Sequence, residues 1–515
     1  FMNSIRILWV DDEVGLLKPH FLFLEERGYD LTPCNSGQDA LELIKRERFQ
    51  VIILDENMPG LSGIETLNEI KISLPNIPIL MITKNEEEEL MEQAIGSKIS
   101  DYLIKPVNPN QILSALKKLF EHKDLIAERT IRNYQKEFLN ISTRLLSIKT
   151  IKEWQDFYMN LLYWEFELES INNKGMMEIF KTQKKEANHL FARFISSNYK
   201  NWILSDSDSL LLSNNLLKRK VFPILKENET TLFLLIDNLR YDQWKVISSL
   251  IEDHYQKQEE VPYCSIIPTS TQYSRNSIFS GLTPHQMQEM HPELWVDEAD
   301  EGGKNLHEKE FLEKQLKRLN IQISFDYHKI LNLKDAYNLL KDFGNKKKFD
   351  LITVVYNFVD ILSHAKTEMN IIKELAPDDK AFRSLTLSWF KNSPLLELIE
   401  KAREKKYKLI ITTDHGTINV SNPEKVIGDR KTNDNLRYKK GKSLTYNQKE
   451  VFLVNDPVHY GLPVSNEKYI FAKNDQYFIY QNNFNQYALH YKNTFQHGGI
   501  SMEEMIIPLI ILNPK

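Results

Sequence analysis

A chain of 515 residues, 42% hydrophobic and 27% charged, is too long for one ordinary core and reads as two or three folded domains. Its formal net charge of −5 excludes the polycationic balance that binds duplex nucleic acid non-specifically, and the Lys346-Lys347-Lys348 run reads as solvated surface. Cys34 and Cys264 are far apart and form no metal-spaced pair, which argues against a disulfide framework and fits a reducing compartment.

Phe1 precedes Met2, so the natural start is expected at Met2. The apolar segment Ile5 to Val10 is cut short by Asp11 and Asp12 and is too short for a signal segment or a span. No stretch reaches 18 uncharged apolar residues, so the expected location is cytoplasmic, without membrane insertion.

From residue 4 to about 120, short β-branched runs alternate with helical stretches. Arg6 to Val10 reads as a strand followed by a helix through Leu24; Val51 to Asp55, Pro78 to Thr83 and Asp101 to Pro106 read as further strands. This alternation predicts a doubly wound parallel sheet with its cleft at the carboxyl ends of the strands. The Glu86–Glu89 run reads as an exposed helix start.

Residues 112–200 lack proline and carry apolar residues at helical spacing, as in Trp154, Tyr158, Leu161, Leu162 and Phe166, which predicts a helical bundle. From about Thr230 the α/β alternation returns, with strands expected at Leu232 to Asp237, Tyr263 to Pro268, Asp350 to Phe358, Lys408 to Asp414 and Met505 to Leu512. Residues 417–470 read as an insertion of loops and short strands. The domains are therefore placed at 4–122, 123–205 and 206–515, α/β at both ends with a helical linker between.

Two constellations carry chemistry. In the first, Asp11, Asp12, Asp55, Thr83 and Lys105 all end predicted strands, and strand ends of one parallel sheet converge. Three carboxylates in one cleft call for a hard cation such as Mg2+, after which one of them can attack a phosphoryl donor. Taken singly, each residue is ordinary loop punctuation; the ordered set is specific. With Asp11–Glu13, Leu54–Gly60, Thr83 and Lys105-Pro106, residues 4–122 resemble the receiver domain of response regulators. That resemblance implies phosphorylation on Asp55, Mg2+ held by Asp11, Asp12, Asp55 and the Asn57 carbonyl, a cis Lys105-Pro106 bond, and Tyr102 at the aromatic switch position.

In the second, Asp237, Asp360 and Asp414 close apolar runs or lie just beyond them, with His364 four residues after Asp360, His415 beside Asp414, and His497 near the end. Mixed carboxylate and imidazole ligands suit Zn2+, with Mn2+ as the alternative, and the set suffices for two ions. Thr271 opens a helix-like stretch, where a phosphate is welcome and a metal would activate the hydroxyl; alone, it reads as an N-cap. The succession Asp237, Thr271, Asp360/His364, Asp414-His415-Gly416, His497-Gly498-Gly499 resembles the alkaline phosphatase superfamily, nearest its PglZ-type domains and similar to its nucleotide phosphodiesterase branch. It implies one ion on Asp237, Thr271, Asp414 and His415, and another on Asp360, His364 and His497, with Thr271 as nucleophile. Ser274 stands where the phosphodiesterases often have asparagine, and Arg275 is a candidate phosphate-binding residue.

The domain order resembles the PorX-type response regulators. This implies a sensor histidine kinase partner, dimerisation on phosphorylation, contacts with a sigma factor and a secretion-motor component, and a link to type IX secretion; the likeness to the phosphodiesterase branch implies a nucleotide or oligonucleotide phosphodiester substrate. The rival reading is a non-catalytic phosphatase-like binding module; against it, all seven ligand positions carry competent residues. A DNA-binding output is disfavoured by the absence of a helix-turn-helix and by the acidic balance.

Overall fold

The computed structural model describes residues 5–75, 77–84, 99–205, 210–226, 229–298, 300, 303–343, 349–368, 370–428 and 433–515, without the side chains of 120–126, 358, 364–366, 368 and 370–372. The Glu86–Glu89 and Lys346–Lys348 runs and the His364 side chain lie outside these described residues. The chain divides into two compact units, 1–134 and 135–515.

The first unit holds β1 (Ile5–Val10), β2 (Tyr29–Cys34), β3 (Val51–Asp55), β4 (Ile79–Thr83) and β5 (Asp101–Ile104), all parallel, in spatial order β2-β1-β3-β4-β5. Alternate residues of the central strands enter two cores: Leu8, Val10, Ile52 and Leu54 on one face, Ile7, Trp9, Val51 and Ile53 on the other. Burial on both faces explains why these strands read as unbroken apolar runs. Strand β2 was not expected from sequence. The helix expected through Leu24 is Lys18–Glu25, preceded by a short turn at Val14–Leu17.

The second unit begins within the helix Pro109–Ser147 and continues through the helices Ile151–Ser170 and Lys174–Leu204. A capping box at Thr150 and Glu153 starts the middle one, satisfying free amide donors reciprocally. Trp154 packs edge-on against Phe157 and Phe191, so the aromatic stripe is core.

The remaining strands are β6 (Thr231–Ile236), β7 (Tyr255–Cys264), β8 (Phe325–Ile330), β9 (Leu351–Tyr356), β10 (Lys408–Thr412), β11 (Ile418–Val420), β12 (Asn422–Val426), β13 (Tyr438–Gly441), β14 (Val451–Val454), β15 (Lys468–Ala472), β16 (Gln476–Tyr480), β17 (Thr494–Gln496) and β18 (Ile506–Pro514). The main sheet runs β7-β18-β10-β6-β9-β8. Strands β10, β6, β9 and β8 are parallel, while β18 is antiparallel to both its neighbours. Strands β11 to β17 form small sheets; the short strands expected over 417–470 are present, and β16 and β17 extend the insertion beyond it. Two expectations are corrected. The strand predicted at Tyr263 to Pro268 lies earlier, at Tyr255–Cys264, because Ser265 to Pro268 form a loop with a cis Ile267-Pro268 bond. Strand β8 was missed.

Candidate functional site

In the first unit, β1 and β3 deliver Asp11 and Asp55 to one end of the sheet. Ligand atoms of Asp11, Asp12 and Asp55 lie within 4.8 Å of one another, with Asp12 exposed and the other two buried. The Lys105 ammonium sits 3.0 Å from Asp11 Oδ2 and 3.0 Å from Asp55 Oδ2, and the Lys105-Pro106 bond is cis. Asp55 Oδ1 has no hydrogen-bond partner in the protein. An orphaned buried carboxylate oxygen in an acidic cluster fits a divalent cation. Burial pushes the Asp55 carboxyl up, offset in part by Lys105; burial also works against the Lys105 ammonium, but Asp11 and Asp55 outweigh it and raise its pKa. Thr83 is buried beside this cluster at the end of β4, where its carbonyl accepts the Lys105 N–H at 2.7 Å. Tyr102 is 38% exposed on β5, and Asn57 is exposed after β3.

In the second unit, the parallel strands β6, β9 and β10 end side by side, so Asp237, Asp360 and Asp414 converge just past their carboxyl ends. Thr271 is the first residue of the buried helix Thr271–Ser280, which Gly281 ends in the left-handed region at φ 65°. Ser270, not Thr271, is the N-cap, which leaves the threonine hydroxyl uncommitted to capping. Thr271 Oγ1 lies 3.1 Å from His415 Nε2, and the same nitrogen lies 3.8 Å from Asp237 Oδ1 and 3.9 Å from Asp414 Oδ2. Four of the expected ligands therefore surround one point.

The tautomers follow from the other ring nitrogens. His415 Nδ1 is 3.0 Å from the Gly416 carbonyl and His497 Nδ1 is 3.3 Å from the Thr269 carbonyl; each donates its N–H there, which turns both Nε2 atoms toward the carboxylates. His497 Nε2 lies 3.7 Å from Asp360 Oδ1, and the two imidazoles stack with centroids 4.3 Å apart. The second expected ligand group thus brings Asp360 and His497 together beside the first; His364 lies on the helix Phe358–Glu368 that carries Asp360. Asp237 Oδ1 is buried without a partner, and the donor set of carboxylates, imidazoles and a hydroxyl fits borderline divalent ions. Burial raises the Asp237 carboxyl well above the usual range, opposed by Arg275. Asp414 is held down at about 2 because Arg275, His415 and backbone N–H groups outweigh its own burial.

The loop carrying His497 is fixed from behind. Glu504 accepts from Arg437 Nε at 3.0 Å and Nη2 at 2.6 Å, from Gly499 N at 2.9 Å and from Ser501 Oγ at 2.7 Å. Arg275 does not reach toward an open phosphate site as the sequence reading expected: it is fully buried and turned toward Asp237, Asp414 and Glu308. Sequence reasoning also missed Asn238, whose side-chain amide lies 3.4 Å from Asp360 Oδ1 and whose backbone N–H reaches Asp414 Oδ1 at 3.3 Å. Its position right after a strand-end aspartate was the available signal, and its φ of 62° suits asparagine. Glu308 carried no signal.

Three known families match successive stretches of the chain. The response regulator receiver domain matches residues 7–117, the PorX response regulator linker domain 124–203, and the BREX system PglZ alkaline phosphatase-like domain 216–512. The chain is a PorX-type response regulator. Its output half belongs to the PglZ alkaline phosphatase-like family. Among curated relatives, the Escherichia coli (strain K12) transcriptional regulatory protein ZraR is 34% identical over 128 residues, 25% of this chain and 29% of that protein. The alginate biosynthesis transcriptional regulatory protein AlgB of Pseudomonas putida is 32% identical over 125 residues, 24% of this chain and 28% of that protein. The PorX-type chain thus spans less than a third of either relative. Among solved structures, the chemotaxis protein CheY4 of Vibrio cholerae is 29% identical, covering 22% of this chain and 98% of that one, with a TM-score of 0.22. No helix among the described residues is long and apolar enough to cross a membrane.

Proposed function

We propose that this response regulator takes a phosphoryl group on Asp55 from a sensor histidine kinase and that its PglZ domain hydrolyses phosphate esters with Thr271 as nucleophile. The observation that carries the second part is the approach of Thr271 Oγ1 to His415 Nε2, with Asp237 and Asp414 around the same point. Asp237, Thr271, Asp414 and His415 would hold one divalent ion, Zn2+ or Mn2+, and Asp360, His364 and His497 a second; Asp11, Asp12, Asp55 and the Asn57 carbonyl would hold Mg2+. Bound ions would lower the pKa of the threonine hydroxyl and neutralise the leaving oxygen.

The residues of the chain supply the rest. Thr271 Oγ gives its proton to solvent water and bonds to phosphorus as the bond to the ester oxygen breaks; the departing oxygen takes a proton from water and leaves as the alcohol. Water then attacks phosphorus of the phosphothreonine and the bond to Thr271 Oγ breaks, freeing a phosphate monoester from a diester substrate, or inorganic phosphate from a monoester, and restoring the threonine hydroxyl. The Gly416 and Thr269 carbonyls keep both imidazoles in the required tautomer throughout. Nucleotide or oligonucleotide phosphodiesters are the preferred class, by likeness to the phosphodiesterase branch. Phosphorylation on Asp55 shifts the chain toward a dimer, and its cytoplasmic partners are a sigma factor and a secretion-system component of the type IX pathway. Hydrolysis of a bis-aryl phosphodiester by wild type and Thr271→Ala, each with and without chelator, tests the enzymatic reading. Loss of turnover in the variant and in the chelated wild type supports it; equal turnover in both proteins overturns it.

A further inference from the structure

Arg275 lies one helical turn after Thr271, with no exposed surface. Its guanidinium spans the site rather than gripping a single partner. Nε donates to Asp414 Oδ2 at 2.9 Å, Nη2 pairs with Asp237 Oδ2, and Nη1 donates to Asn357 Oδ1 at 3.2 Å and lies 3.4 Å from Glu308 Oε1. Glu308 in turn takes Lys329 Nζ at 2.7 Å and the Tyr327 hydroxyl at 2.8 Å. Three buried carboxylates thus face two cations. Two of those carboxylates, Asp237 and Asp414, are the ones that meet at His415.

Unpaired buried carboxylates this close repel one another and carry a heavy desolvation cost. We propose that Arg275 is an internal counter-ion: a resident positive charge that holds Asp237 and Asp414 together in the ion-free chain and partly opposes the divalent ion that later shares them. The planar fork suits this task because Nε and Nη2 present two fixed donors to separate carboxylates while Nη1 keeps its own partners. The contact to Asp237 uses Oδ2, so Oδ1, the oxygen left without a protein partner, stays available for an ion. This inference rests on the reading that the site takes a divalent ion.

The test compares wild type, Arg275→Gln and Arg275→Lys as full-length chains by thermal melting and by calorimetric titration with Zn2+ and Mn2+. In Arg275→Gln the ion-free chain melts lower than wild type. Added ion raises its melting temperature by more than it raises that of wild type, and the ion binds about tenfold or more tightly, because one opposing charge is gone. Arg275→Lys keeps the charge but loses reach, so it melts lower while its ion affinity stays near that of wild type. If Arg275→Gln is destabilised equally with and without ion, Arg275 is a plain structural residue and the proposal fails. If glutamine fails to fold under all conditions, the lysine variant decides: ion affinity near wild type supports the counter-ion, whereas tightening despite the retained charge overturns it. A wild-type chain that takes up neither ion defeats the two-ion reading itself.

Discussion

The side-chain amide of Asn188 donates to the Glu503 carboxylate at 2.9 Å, bridging 315 residues of sequence, and its carbonyl oxygen accepts the Met502 N–H at 2.8 Å. Lys184, one turn earlier on the same helix, joins Glu503 at 3.2 Å to Glu165 at 2.9 Å. All these groups are buried or nearly so. The linker helices are therefore hydrogen-bonded to the turn that backs the His415 and His497 loops.

Replacing Asn188 with leucine leaves the Glu503 carboxylate and the Met502 N–H without that partner. We expect a loss of roughly 1–3 kcal/mol, read as a lower urea midpoint with an unchanged slope. A midpoint equal to that of wild type would show that water replaces the amide at no cost.

Gly416 is pinned against the same turn. A Cβ built there would lie 2.0 Å from the Glu503 carbonyl oxygen, and the Gly416 N–H already donates to the Glu504 carbonyl at 3.0 Å. Both contacts are to backbone, so no side chain can swing aside. Gly416→Ala should cost roughly 1–3 kcal/mol and displace His415, lowering divalent-ion content measured by elemental analysis. Full ion content together with wild-type stability would refute the close approach.

For the receiver, Asp55→Asn should abolish uptake of a phosphoryl group from a small acyl phosphate, followed by intact mass. Lys105→Ala should impair it, since Lys105 bridges Asp11 and Asp55 at 3.0 Å each. Wild type, but not Asp55→Asn, should gain mass in light scattering on treatment. A phosphorylated Asp55→Asn chain would move the acceptor elsewhere.

Acid should unfold the second unit through its buried ion network. Burial alone would raise the Asp242 carboxyl, yet Arg240 and Arg383 outweigh it and hold it below the usual carboxylate range. A depressed folded pKa gives stability that is complete above the unfolded value, about 4, and lost as pH falls from there toward the folded value. Urea midpoints should accordingly be flat from pH 7 to about 5 and fall below about 4. Asp242→Asn should start lower and fall less steeply; an equal slope would remove Asp242 from the acid response.

The fold was legible wherever strands are covered on both faces. Val51–Asp55, Thr231–Ile236 and Leu351–Tyr356 are wholly buried and read as apolar runs. In the two large sheets the failures are edges. Strand β2 borders the first sheet, and β7 and β8 border the second. Their sequences, YDLTPC, YQKQEEVPYC and FDYHKI, carry charges or proline because one side of an edge meets water or loops. In the site, Asp237, Asp414 and His415 could be read because strand ends converge, and Thr271 because it opens a helix. Asn188, Glu308 and Glu503 could not, because they act through side-chain contacts between distant segments that no local periodicity encodes. Arg275 stands out by its chemistry, but proximity to a nucleophile in sequence does not say which way a long side chain turns, and here it turns toward Asp237 and Asp414.

The placement of β18 has a consequence for synthesis. Ile506–Pro514 is an inner strand of the main sheet, lying between β10 and β7 and pairing Tyr255 with Pro514. The parallel sheet of the receiver can close once Ile104 has emerged from the ribosome, but the larger sheet lacks its middle until some four hundred further residues are translated. From the completion of β10 at Thr412 until Pro514 is made, β7 and β10 have no partner between them, so the output sheet can close only after the receiver sheet can have formed.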